Sequence, residues 1–180
     1  TGLTFDGTNS FISIPDDASL DFGTGDFSME IWVYHSTVPL DTIADYLIKA
    51  SVWALAGVTV GFCLYQWGGQ LYVSIRNGTA AREANSDAVL FSINTWYHIV
   101  GGRTSGAAFM HVNGAAKAFT MAGAGDFAAN VDNAIALRAG WDDTAARRLN
   151  GIMGEVRIYN RALSEIESWR NYQATKWRYV

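Results

Sequence analysis

Phe27, Met29, Ile31 and Val33 alternate with Ser28, Glu30, Trp32 and Tyr34. A period of two puts each set on its own face of an extended chain, and predicts a strand with one buried face. The pattern recurs. Val60, Phe62 and Leu64 alternate with Gly61, Cys63 and Tyr65; beyond Gly68-Gly69, Leu71, Val73 and Ile75 alternate with Tyr72, Ser74 and Arg76. Two such runs across a Gly-rich turn read as a hairpin. Asn77-Gly78, Ser105-Gly106 and Asn113-Gly114 supply further turn residues that tolerate positive φ. Trp96 to Val100, Ala108 to Val112, Ala116 to Thr120, Ile135 to Ala139 and Gly151 to Tyr159 add strands, for a total of about twelve.

So many short strands need a shared core. The chain has 180 residues, 49% of them hydrophobic and only 17% charged, with 18 Gly and 2 Pro. That suits one all-β domain over residues 1–180, folded as a sandwich of two antiparallel sheets with tight turns. No internal repeat or linker divides it. No apolar run approaches the ~18 residues of a membrane span, so membrane insertion is not expected. The net charge is −4 without a block of like charge, which argues against nucleic acid as a partner. The single cysteine, Cys63, lies inside an apolar strand and reads as a buried, inert thiol. Leu3-Thr4-Phe5 is already strand-like, as in a chain processed or excised from something longer.

One helix is expected. Ser164 followed by Glu167 forms a capping box, and Ile166, Trp169, Arg170 and Tyr172-Gln173 then give a helical face. Trp177 and Tyr179 are expected to pin the tail to the sandwich. Two stretches resist the strand pattern: residues 51–57 read as a bulging loop, and Met121 to Asn130, rich in Ala and Gly, as a second loop.

Four segments resemble laminin-G-like domains, the concanavalin A-like jelly rolls, and more distantly pentraxins. They are Leu3-Thr4-Phe5-Asp6-Gly7 with its partner Phe11 to Pro15; Leu20 to Tyr34 with Gly23-Thr24-Gly25-Asp26-Phe27 and Trp32; Asn94 to Val100 running on to Val112-Asn113-Gly114; and Leu149 to Glu167. Their order is the family's, and they span nearly the whole chain. One departure stands out: the last strand carries Gly154-Glu155 where the family pattern has Asp-Glu. The tail Tyr172 to Tyr179 resembles the ending of such domains in bacteriophage structural proteins. The resemblance implies a concanavalin A-like jelly roll that serves as a binding scaffold, on a virion or extracellular surface.

The superfamily includes glucanases, which flank the scissile bond with two carboxylates about 5–5.5 Å apart in retaining enzymes. No run of acids at alternate strand positions supplies such a pair. Glu30 is alone on its strand, and Asp16-Asp17 and Asp142-Asp143 are adjacent in turns, where side chains diverge. No nucleophile elbow, P-loop or zinc motif occurs. The chain is therefore expected to bind rather than catalyse. Glycan or surface polysaccharide is the expected partner, with Trp53, Trp67, Trp141, Asp142 and Asp143 as candidate contacts, because an aromatic face stacks on the CH face of a pyranose. The alternative is a structural decoration protein that assembles with itself or with a capsid, tail or filament protein. The resemblance also implies calcium at the sandwich edge. Asp142 and Asp143 are the candidate ligands there, with Asp6, Asp16, Asp17 and Asp87 as other acids. His35, His98 and His111 lack metal-ligand spacing and read as structural.

Overall fold

The strand Phe27–His35 uses its alternation as expected: Phe27, Met29, Ile31 and Val33 are fully buried in the main core. The structure, a computed structural model, describes residues 2–37, 43–50, 59–141 and 147–180. In chain order its strands are β1 (Leu3–Asp6), β2 (Ile12–Ile14), β3 (Phe27–His35), β4 (Ile43–Lys49), β5 (Gly61–Trp67), β6 (Gln70–Arg76), β7 (Ala81–Ser86), β8 (Trp96–Thr104), β9 (Ala107–Val112), β10 (Ala115–Ala116), β11 (Phe119–Ala122), β12 (Leu137–Ala139) and β13 (Asn150–Tyr159). A helix α1 (Glu165–Thr175) follows, continued by a 3-10 turn at Lys176–Arg178.

The strands form a six-stranded sheet, β1-β13-β3-β8-β9-β10, and a seven-stranded sheet, β11-β7-β6-β5-β4-β12-β2. Every pairing is antiparallel. The inner faces meet in one core: Met29, Ile31, Ile99 and Met110 from the first sheet, Leu47, Leu64, Val73 and Ile75 from the second. Full burial of each such side chain contributes about 1.5–3 kcal/mol. This is the expected jelly-roll sandwich.

Two connections differ from the sequence reading. β1 and β2 do not pair with each other: β1 joins β13 in one sheet, and β2 joins β12 in the other. The turn at Asp6, whose carboxylate accepts the amides of Thr8, Asn9 and Ser10, lies between them. The segment 116–120 is likewise not one returning strand. β10 stays on β9, and the chain then crosses between sheets so that β11 pairs with β7. Met121 and Ala122 accordingly belong to β11 rather than to the expected loop. The expected loop at residues 51–57 lies outside the described residues.

The capping box is present: Ser164 Oγ accepts the Glu167 amide, and the Glu167 carboxylate accepts the Ser164 amide. Of the expected helical face, however, only Tyr172 packs inward, stacking on Trp32 at 5.7 Å. Ser168 and Thr175 are buried, while Ile166 and Trp169 are 62% and 51% exposed. The outer surface of the six-stranded sheet explains this, because it presents hydrogen-bonding groups beside the Trp32 ring. His111 Nδ1 meets Ser168 Oγ at 2.7 Å, the Trp32 indole donates to Thr175 Oγ1 at 2.9 Å, and Asn171 donates to Glu30 Oε2 at 2.9 Å. Tyr179 does pin the tail, stacking on Trp32 with ring centroids 4.5 Å apart. Trp177 does not; it is 71% exposed.

Candidate ligand-binding face

The β5–β6 hairpin turns through Gly68 and Gly69, both at positive φ. This two-residue turn fixes a register in which Trp67 faces Gln70, Tyr65 faces Tyr72 and Cys63 faces Ser74. Phe62, Leu64, Leu71 and Val73 go to the core, so alternation sends Cys63, Tyr65, Trp67, Tyr72, Ser74 and Arg76 to the outer face of the seven-stranded sheet. Neighbouring strands extend these rows. Asp45 of β4 lies beside Tyr65, and Asn85 of β7 beside Tyr72. Ile43 flanks Trp67, and Glu83 flanks Ser74.

The result is an aromatic row with polar ends. Tyr65 and Tyr72 stack with centroids 4.7 Å apart at 15°, and Trp67 tilts against Tyr72 at 6.1 Å. Tyr65 is buried, Tyr72 half-buried and Trp67 50% exposed, so the row emerges from the protein at its tryptophan end. Trp67, Gly68, Gln70 and Tyr72 line a shallow hollow of about 240 Å³ there.

The buried end of the row is held by charge. Asp45, 0% exposed, accepts from Arg147 Nε and NH2, each at 2.9 Å, and from the Cys63 thiol at 3.5 Å. The Arg147 guanidinium lies 5.1 Å from the centroid of the Tyr65 ring. The Tyr65 hydroxyl donates to Glu83 Oε1 at 2.9 Å. Burial raises the Glu83 carboxyl above its ordinary range, although the bond from Tyr65 opposes the shift. Burial and the Glu83 charge raise both the Tyr65 and the Tyr72 phenols. Two carboxylates thus share this face, but β5 and β6 lie between their strands. Three interstrand steps set those two strands roughly 14 Å apart, wider than the spacing of a glycosidase pair. Asp45 is moreover fixed in its bidentate ion pair.

Of the candidates named from sequence, Trp67 lies at the exposed end of this row. Trp141 is half-buried in a separate cluster, edge-on to Phe11 at 5.0 Å and with Arg148 4.6 Å over its ring. Trp53, Asp142 and Asp143 lie outside the described residues. The other acids considered for calcium each serve the fold. Asp6 and Asp17 accept local amides, Asp16 pairs with Lys49 at 2.8 Å, and Asp87 accepts the Thr120 hydroxyl at 2.8 Å. Among the described residues no group of three or more His, Cys, Asp or Glu side chains is arranged to hold a metal ion. The three histidines bond to Tyr46, Glu30 and Ser168. Tyr65, Tyr72 and Glu83 were not singled out as candidates. The hairpin register, read outward from Gly68-Gly69, would have paired the two tyrosines.

A larger hollow, about 570 Å³, opens where the sheets part between β9 and β11. Phe119, Met121 and the buried Phe127 line it, so its wall is the flank of the core.

The sequence matches, over residues 6–167, the laminin G family model described as the concanavalin A-like lectin/glucanases superfamily. No curated protein matches significantly. Solved structures share the fold. The binding domain of Paraclostridial Mosquitocidal Protein 1 is similar with a TM-score of 0.70 and 16% identity, over 94% of this chain and 42% of that one. The binding domain of botulinum neurotoxin serotype D is similar with a TM-score of 0.70 and 12% identity, over 94% and 41%. Trypanosoma rangeli sialidase in complex with 2,3-difluorosialic acid is similar with a TM-score of 0.65 and 16% identity, over 97% and 28%. This chain spans less than half of each of those proteins, and at these identities the likeness is one of fold. With two antiparallel sheets behind a family match that covers most of its length, the chain belongs to the concanavalin A-like lectin/glucanases superfamily.

Proposed function

We propose that this chain is a non-catalytic glycan-recognition module that contacts sugar at Trp67, Gln70 and Tyr72. The observation that carries the reading is the aromatic row: a half-exposed indole backed by two stacked phenol rings, beside amide and carboxyl groups. Such a surface offers flat apolar area to the CH face of a pyranose and directional bonds to its hydroxyls. The hollow is shallow, as suits a chain end or a single residue of a longer glycan. Two of the similar structures are named as binding domains, and the third is a sialidase holding a sialic-acid analogue; these support a carbohydrate-binding role.

The non-catalytic part of the proposal rests on the separation of Asp45 from Glu83 and on the ion pair that occupies Asp45. Release of reducing ends from any polysaccharide by the purified chain would overturn it. We place the module on a virion or extracellular surface, where glycans are met; the phage-like tail supports that setting. Calcium at Asp142 and Asp143 is a separate proposal, tested by melting with and without millimolar calcium in wild type and Asp142→Ala.

Glycan-array binding tests the main reading. Wild type is expected to bind a defined set of glycans, and Trp67→Ala to lose at least tenfold in affinity with its melting temperature little changed. A bare array, or unaltered binding by Trp67→Ala, would refute it.

A further inference from the structure

The strands around the Trp67 hollow set out their side chains in rows. Nearest the hairpin turn, Ile43, Trp67 and Gln70 share a row with no charged member. Asp45, Tyr65, Tyr72 and Asn85 make the next row, and Cys63, Ser74 and Glu83 belong to the one beyond. The hollow itself is walled by Trp67, Gly68, Gln70 and Tyr72, so its polar groups are all neutral. The Gln70 amide nitrogen donates to the Ser86 carbonyl. That bond fixes the orientation of the amide, leaving its oxygen and one N–H for a ligand. Burial and the Glu83 charge raise the Tyr72 phenol, so its hydroxyl stays protonated and both donates and accepts.

The cations of the chain are placed away from this end. All 13 Lys and Arg are among the described residues, and four of them stand on the strands of this sheet. Lys49 is buried and pairs with Asp16 and Asp21. Arg82 lines the hollow between β9 and β11 and donates to the Gly123 carbonyl. Arg76 is buried four residues along β6 from Tyr72. Arg138 flanks Ile48, whose partner Cys63 is four residues along β5 from Trp67. Four strand residues span about 13 Å. Arg147 comes nearer, over Tyr65, but it is buried and bonds twice to Asp45. A sugar hydroxyl both donates and accepts, and so matches the lining of the hollow. A carboxylate only accepts, and once stripped of water it needs a cation or several donors. At this end of the row it would meet neither, and it would approach the Glu83 charge on a molecule of net charge −4.

We propose that the Trp67 hollow selects an uncharged sugar residue and turns away sialic and uronic acids. The proposal rests on the glycan reading of this face and names the class of sugar that it takes. Selection has two parts: Trp67, Gln70 and Tyr72 supply the attraction, and Glu83, with no cation beside the hollow to offset it, supplies the repulsion.

A glycan array that carries neutral, uronic and sialic glycans, read with wild type and Trp67→Ala in mildly alkaline buffer where Glu83 is ionised, tests the proposal. Every glycan whose binding depends on Trp67 is expected to be neutral. The best of them, compared in solution with the same glycan oxidised at a primary hydroxyl to the carboxylate, should bind about tenfold more tightly than its oxidised form at low salt. That ratio should shrink with added salt, because the repulsion is screened. Two variants probe its cause. Gln70→Lys puts an ammonium at the hollow, and Glu83→Gln removes the charge while keeping an acceptor for the Tyr65 hydroxyl; each should cut the ratio to about threefold or less. An acidic glycan bound through Trp67 as tightly as its neutral counterpart would overturn the proposal and leave the glycan reading standing. A ratio that neither salt nor either variant changes would also overturn it, because charge would not be the cause. Binding that is absent, or indifferent to Trp67→Ala, would overturn the glycan reading and this proposal together.

Discussion

The ring of Tyr179 lies on Gly154, and its hydroxyl accepts the amide hydrogen of the next residue, Glu155, at 3.0 Å. A Cβ at position 154 would fall 2.7 Å from Tyr179 Cε1 and Oη. The glycine that departs from the family's Asp-Glu pattern is thus the seat of the C-terminal tyrosine, which also stacks on Trp32 and tilts against Trp96. Gly154→Asp should expel Tyr179 and cost about 1–3 kcal/mol, the usual penalty of overpacking. Urea denaturation and the near-ultraviolet signal of the aromatic stack measure it. In a Tyr179→Ala background the same substitution should cost much less; an undiminished cost would refute the coupling.

At the buried end of the aromatic row, Tyr65→Phe removes the one bond that the phenol gives Glu83 while keeping the ring stack on Tyr72. That bond lowers the Glu83 pKa against burial, so its loss should raise the carboxyl further. Carbon-detected titration of Glu83 reads the shift directly. Stability at neutral pH should fall by about 1 kcal/mol, because a half-buried acceptor loses one of its donors. An unchanged Glu83 titration would show that the bond does not set the carboxyl's environment.

How much of this was legible in the sequence depends on whether one face of each element was apolar. β3, β5 and β6 alternate cleanly and were found. β4 carries a bulge between Asp45 and Leu47, which puts Tyr46 and Leu47 both in the core and erases the period. In β7, Ala81 to Ser86, only Ala84 enters the core cluster, so no apolar signal rises above its polar neighbours. The Ser164–Glu167 cap is local chemistry and was read correctly. The helix face was legible only in part, because its contacts depend on His111 of β9 and on Glu30 and Trp32 of β3, two strands that local spacing cannot align with the helix. For the same reason Trp67 was recognisable as a turn aromatic, while Glu83, reached only through register, was not.

His35 and Tyr46 share a hydrogen bond of 2.8 Å inside the core, and burial lowers the His35 pKa to about 4 from its ordinary 6.5. The unfolded chain takes up the proton below pH 6.5, whereas the folded one does not until about pH 4. The associated stability is therefore complete above 6.5, is lost as pH falls between those values, and amounts to about 3 kcal/mol. Denaturation at a series of pH values should show that decline. His35→Gln, which does not titrate, should flatten it; an equally steep decline in the variant would assign it to another group.

Glu30 anchors the helix side of the molecule in a different pH window. Its carboxylate, 3% exposed, meets His98 at 2.8 Å, the Tyr159 hydroxyl at 2.7 Å, Asn171 at 2.9 Å and Arg157 at 3.4 Å. Burial alone would raise its pKa, but the bonds from His98 and Tyr159 outweigh it and leave the carboxyl below its ordinary 4.5. A depressed acid contributes stability above that ordinary value and loses it as pH falls through the folded one, so this loss begins near pH 4.5 rather than 6.5. Glu30→Ala leaves His98, Arg157, Tyr159 and Asn171 without their common acceptor, and should cost about 3–5 kcal/mol at neutral pH. Because Asn171 is on α1, hydrogen exchange should quicken first along residues 165–175. A loss below 1 kcal/mol (about fivefold in the folding equilibrium), with the helix amides still protected, would mean that the polar contacts do not hold the helix to the sheet.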